Sequence, residues 1–162
     1  MKSSIDLGGN VRLRGDLSIE ITDVNTGRTR RHHVRNTITY AGLNSSLYLW
    51  AQDGITPADY QIAKLRPGTN STPPSRGDVG VIQPMADPAI VLAAANRSVI
   101  PATGELVINA TLGTSVGNEA LPLCEVGLLL ANNQLFARQV HPAFLKTSSF
   151  TLTYTWRIAV TA

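Results

Sequence analysis

From residue 149 to 160 the chain alternates without interruption. Phe150, Leu152, Tyr154, Trp156, Ile158 and Val160 hold the even positions, and Ser149, Thr151, Thr153, Thr155, Arg157 and Ala159 the odd ones. Successive side chains of a strand point to opposite faces, whereas a helix repeats every three to four residues, so the pattern predicts a long strand with one buried face. Weaker copies of the pattern lie upstream. Leu106, Ile108, Ala110 and Leu112 share one face of residues 105–112, and Leu17, Ile19 and Ile21 alternate with Ser18 and Glu20. Val24-Asn-Thr-Gly27 supplies residues that tolerate positive φ, so 11–23 and 28–35 are expected to form a hairpin. A second hairpin is expected from 123–131 and 134–140 about Asn132-Asn133, and 90–99 is an apolar run closed by a turn at 101–104. One segment departs from the period of two. In residues 41–52, Leu43, Leu47 and Trp50 are spaced by four and three before Asp53-Gly54, which predicts a short amphipathic helix capping one end of a β core. Between 66 and 88 the density of proline and glycine excludes regular structure, and a loop of that length is functional or ordered by a neighbour.

The chain has 162 residues and 17.3 kDa, enough for one core. Charged residues are 15%, against roughly 25% in an average soluble domain, so the surface must be Ser, Thr, Asn, Gly or contact area. Net charge is only +3, yet 11 of the 14 basic residues are arginine, the residue favoured for planar, multi-donor contacts at interfaces. A lone Cys124 in an apolar stretch excludes an internal disulfide or a CxxC site and reads as a small core residue. No signal-peptide core or membrane-length apolar run occurs, so the expectation is a protein made and folded in a cytosol, without membrane contact. The N-x-Ser/Thr triplets at Asn44, Asn70, Asn96 and Asn109 then read as chance matches.

Enzymatic signals are few. Gly113-Thr-Ser-Val-Gly117 matches G-x-S-x-G, with Glu125 and His141 following in the order of an α/β-hydrolase. That elbow requires a strand feeding a helix, and the segment after Gly117 leads instead into another strand, so a Gly/Ser turn without catalytic role is expected. His32 and His33 are adjacent and point to opposite faces of a strand, leaving no converging metal-ligand set, and no loop resembles a phosphate cradle. The expectation is a chain without catalytic residues, metal or cofactor. Arg76-Gly77-Asp78 matches the tripeptide read by some adhesion receptors, but three residues carry little information.

The segment Arg28-Thr-Arg-Arg-His-His-Val-Arg35 places four arginines and two histidines in eight residues. Alternation spreads them over both faces, so such a strand is not expected at the centre of a sheet. Two readings stay open: an edge strand protected from aggregation by charge, or an arm whose guanidinium groups meet carboxylates on a neighbouring subunit. Aromatic residues for base stacking are not interleaved, which argues against nucleic acid. The candidate interface residues are Arg12, Arg14, Arg28, Arg30, Arg31, His32, His33 and Arg35, with Arg76 in the long loop and Arg138 in the second hairpin.

The order of several short motifs adds a resemblance. Asn36-Thr-Ile-Thr-Tyr-Ala-Gly-Leu43 enters the helix and Ile62-Ala-Lys-Leu-Arg-Pro-Gly68 enters the long loop. Glu125-Val-Gly-Leu128, Leu135-Phe-Ala-Arg138 and Lys146-Thr147 then precede the strand ending Tyr154-Thr-Trp-Arg-Ile158. Over roughly residues 34–160 this resembles a family of small virion structural proteins of tailed bacteriophages. The resemblance implies a mainly β, antiparallel β-sandwich of jelly-roll type with one short α-helix, spanning 11–162 behind an N-terminal arm at 1–10. It implies a virion location, after assembly in the host bacterial cytoplasm, as a capsid decoration (cement) protein that bridges major capsid subunits. The alternative is a tail, neck, collar or fibre-attachment protein of the same fold. A homotrimer is the oligomer it suggests, and no catalytic residues are carried over. Gly42 and Gly127 are expected to permit close backbone approach or a tight turn, and Arg138 to anchor a turn or a subunit contact.

Overall fold

In the computed structural model, which describes residues 12–51, 54 and 56–161, the alternating C-terminal segment is strand β9 (Phe150–Thr161). It lies antiparallel between β1 (Arg12–Asp23) and β6 (Glu105–Leu112). Their register aligns Leu17, Trp156 and Ile108 in one row, Ile19, Tyr154 and Ala110 in the next, and Ile21, Leu152 and Leu112 in a third, all buried. The opposite face carries Ser18, Thr155 and Asn109, then Glu20, Thr153 and Thr111. Thr155 Oγ1 donates to Asn109 Oδ1 at 2.8 Å and the Thr111 and Thr153 hydroxyls lie 2.9 Å apart. Threonine and asparagine thus fill the middle of this outer face beside Glu20, which is one source of the low charged fraction.

The first hairpin forms as its turn residues require: β1 pairs with β2 (Thr29–Ile38) from Thr22↔Thr29 to Gly15↔Asn36. Asp23 Oδ1 accepts from the backbone of Asn25 and Thr26, and Gly27 takes φ 68°. At the far end of β2, buried Thr39 turns the chain into helix α1 (Tyr40–Ala51). Its hydroxyl donates to the Leu135 carbonyl at 2.5 Å and accepts from the Gly42 amide at 3.1 Å, satisfying one of the free N–H groups of the first turn. The helix face differs from expectation. Gly42 and Ser45 are buried, while Leu47 of the predicted Leu43, Leu47, Trp50 stripe is 57% exposed. A Cβ on Gly42 would collide with the Phe136 carbonyl, so small side chains, not an apolar stripe, set how closely the helix approaches the sheet.

The remaining strands are β3 (Ile62–Gly68), β4 (Ile90–Val91), β5 (Arg97–Ile100), β7 (Leu123–Leu130) and β8 (Leu135–Phe144). All pairings are antiparallel, in the order β4-β3-β7-β8-β2-β1-β9-β6-β5. The two outermost strands are consecutive in the chain, joined by residues 92–96, a link spanning at most about 17 Å. The sheet must therefore curl until its ends approach. Arg97 Nη1 on β5 donates to Ile62 O on β3 at 2.8 Å and ties them, while Leu92 N, donating to Ala63 O at 2.8 Å, carries the β3–β4 pairing into the link. Inside the curl, Leu17, Ile19, Leu65, Leu128, Tyr154 and Trp156 belong to one continuous core. The apolar run 90–99, expected as one element, is thus divided between opposite ends of the sheet. Arg66, Pro67 and Gly68, placed in the loop by their composition, end β3. Beyond β4, residues 83–85 bridge to Gly68: the Pro67 carbonyl accepts from the Met85 amide at 3.0 Å, and the Met85 carbonyl accepts from Arg66 Nη2 at 2.9 Å, so it is satisfied without an N–H from Pro67. Residues 1–10, expected to form an arm, lie outside the described residues.

Candidate interface and the clamp behind it

On β7, Val126 and Leu128 point into the core, so Glu125 and Gly127 point the other way. Yet Glu125 is fully buried, because the long loop folds over this outer face. Cross-strand register sets Gly127 opposite Arg138 and Glu125 opposite Val140, which makes Glu125 and Arg138 diagonal neighbours. Arg138 Nε donates to Glu125 Oε1 at 2.5 Å, and Nη1 donates to Asp78 Oδ2 at 2.9 Å. Nη2 reaches the Thr72 carbonyl at 2.9 Å. The Ile82 and Gln83 amides donate to the two Glu125 oxygens at 2.7 and 3.2 Å. One guanidinium and one carboxylate thus hold both limbs of the Pro/Gly loop, and the loop's own backbone satisfies the charges that it covers. Gly127 completes the fit: a Cβ there would come within 2.7 Å of Val81 Cγ2 and 2.9 Å of Leu135 Cδ1.

A second set of contacts fixes the end of the loop. The Gly117 amide donates to Asp87 Oδ2 and the Ala86 amide to Glu119 Oε1, both at 2.7 Å. Buried Lys146 donates to Asn118 Oδ1 at 3.1 Å. Burial pushes the Lys146 pKa down, while the Asp87 charge works to raise it.

These contacts reassign several residues. Arg138, a candidate for subunit contact, has no exposed surface and anchors the loop instead, because burying an unpaired guanidinium would be prohibitive. Asp78 of the Arg-Gly-Asp tripeptide accepts from Ser75 N and Arg138, so its carboxylate is held within the chain. Ser115, Glu125 and His141 are not brought together. Ser115 sits in an exposed turn, Glu125 is bound by Arg138, and His141 Nε2 lies 3.4 Å from the Tyr154 hydroxyl. Burial drives the His141 pKa down, with His32 adding to the effect, and raises that of Tyr154. Cys124 is buried as expected, its thiol pKa raised first by desolvation and then by the Glu125 charge. Among the described residues no three His, Cys, Asp or Glu side chains are placed to share a metal ion. No helix among them is long and apolar enough to cross a membrane.

The basic segment occupies β2, the fifth of nine strands in the sheet that the described residues form, contrary to the expectation that it could not be central. The physical reason is that β2 forks. Among the described residues, Thr37 and Ile38 alone pair with β8, opposite Arg138 and Ala137, whereas residues 29–36 pair only with β1. Along most of its length β2 is an edge. Arg28, Arg30, Arg31, His33 and Arg35 are exposed and His32 half-buried. Arg31 Nε donates to Glu20 Oε2 at 2.6 Å and His33 Nδ1 lies 2.6 Å from Ser18 Oγ. Arg14 pairs with Asp16 at 3.0 Å. Among the described residues the side chains of Arg28, Arg30, Arg35 and Arg76 make no hydrogen bond or ion pair. The Arg12 side chain lies outside the described residues.

Glu125 and Arg138 were the functional pair least visible beforehand. A signal existed: one carboxylate inside Leu121-Pro-Leu-Cys-Glu-Val-Gly-Leu-Leu-Leu130 and one guanidinium inside Leu135-Phe-Ala-Arg138, in two strands of one hairpin. Isolated opposite charges in adjacent apolar strands mark a buried pair. No family model, curated protein or solved structure matches the chain.

Proposed function

We propose that this protein is a structural subunit of a tailed-bacteriophage virion, most specifically a capsid decoration protein that bridges neighbouring shell subunits. The observation carrying this reading is where the motif residues go. Gly42, Glu125, Gly127 and Arg138, all within the segments that resemble the virion family, act together in docking the helix and in clamping the loop. They are committed to internal architecture, as an assembly subunit requires. We further read the curled sheet as a sandwich of jelly-roll type, with β5-β6-β9-β1-β2 facing β4-β3-β7-β8 across the core. The threonine- and asparagine-rich outer face and the forked basic edge are the surfaces offered to neighbours. Binding only the assembled shell would stabilise it by linkage, since contacts must be broken before the shell can expand or rupture.

Location and copy number in the intact particle test the proposal. Hundreds of copies spread over the shell support decoration; a single ring's worth assigns the chain to the tail, neck or fibre attachment. Absence from purified particles would overturn the virion reading. Sedimentation of the purified protein checks the expected homotrimer.

A further inference from the structure

Among the described residues, the free stretch of β2 is the longest edge the curled sheet leaves unpaired, and the others are short or blunted by geometry. Strands β4 and β5 have two and four residues. On β8, the residues beyond the fork contain Pro142 and sit at an irregularity in the β7 register. Residues 29–36 of β2 contain no proline and keep an unbroken eight-pair register with β1. Their backbone groups on the far side are a template for another strand, guarded by charge alone.

That charge selects the occupant. A second copy of β2 would set arginines against arginines, and like charges directly opposite are destabilising. The alternation puts Arg31, His33 and Arg35 on the outer face and Arg30, His32 and Val34 on the other, where Val34 packs against the core. Arg31 is already paired with Glu20; Arg28, Arg30 and Arg35 have no partner among the described residues. We infer that residues 29–36 of β2 receive an extended acidic segment of a different polypeptide, added as an edge strand with carboxylates beside Arg35 on the outer face and beside Arg30 on the other, and an apolar residue beside Val34. This deepens the assembly reading and rests on it for the partner's identity as a virion protein.

Two arms test it. In the first, a Glu-Val alternating peptide as long as the free edge is titrated into the purified full chain, and amide hydrogen exchange is followed. Slower exchange within 29–36 is expected, with no such effect from a Lys-Val peptide or from the Glu-Val peptide N-methylated at alternate amides. Equal binding by the N-methylated peptide, protection elsewhere, or displacement of the peptide by a DNA duplex protecting the same residues would overturn the strand-addition inference. In the second, the Arg30→Glu/Arg35→Glu variant is compared with the natural chain for incorporation into particles. Reversing two exposed charges is expected to weaken incorporation at least roughly tenfold. If the variant incorporates as well as the natural chain, the inference fails while the virion reading stands. If the natural chain itself is absent from particles, the virion reading fails and the peptide arm alone decides the edge.

Discussion

Arg138 and Arg35 are the same residue type on two strands, β8 and β2, that lie six strands apart in chain order and meet at one fork, yet they live in opposite conditions. Arg138 has no exposed surface and is surrounded by Glu125, Asp78 and loop carbonyls. Arg35 is exposed and has no partner among the described residues. Removing a buried charge's partner leaves the other charge stranded in a low dielectric, whereas an exposed guanidinium is solvated with or without its neighbours. The clamp should therefore govern stability and the arm should govern association.

The largest expected effect is at the clamp. Arg138→Ala should cost about 3–5 kcal/mol, read from urea unfolding, and open the loop to proteolysis between residues 69 and 84. A loss below about 1 kcal/mol would erase the contrast with the arm. Next comes Gly127→Ala, whose methyl must displace Val81 or Leu135; about 1–3 kcal/mol is expected without loss of the fold. A smaller effect should appear with pH. Burial holds the His141 pKa below its ordinary 6.5, so the unfolded chain binds the proton more readily. Its contribution to stability is complete above pH 6.5 and lost as pH falls through the depressed folded value. His141→Gln should flatten the stability profile in that window; an unchanged slope would remove His141 as its origin. The smallest effect is Arg30→Ala with Arg35→Ala, expected to alter unfolding free energy by no more than about 0.5 kcal/mol. A larger loss would mean that the arm, like the clamp, is structural.

Much of the strand pattern was legible. β9, β6 and the two hairpins follow from alternation and turn residues because one face of each is buried and the other is polar. Three features were not. β3 was hidden because Lys64, Arg66 and Pro67 obscure its alternation. The helix was found, but its buried face was misjudged, since Gly42 and Ser45 look indifferent until Phe136 is placed against them. Arg138 was grouped with the surface arginines because nothing local distinguishes a guanidinium that a distant loop will cover.

What the amino-acid order determined by itself is the set of elements and their polarity: which residues form strands, which face of each is apolar, and where the turns fall. Those properties depend on side chains two to four positions apart and on local φ preferences. Only the tertiary structure decided that the apolar run 90–99 would be shared between two ends of one sheet, that β2 would fork, and that one arginine would be enclosed while its fellows stay in water. Each of those outcomes depends on which segments meet across tens of residues. Burial and charge pairing are properties of that meeting, and local sequence does not contain them.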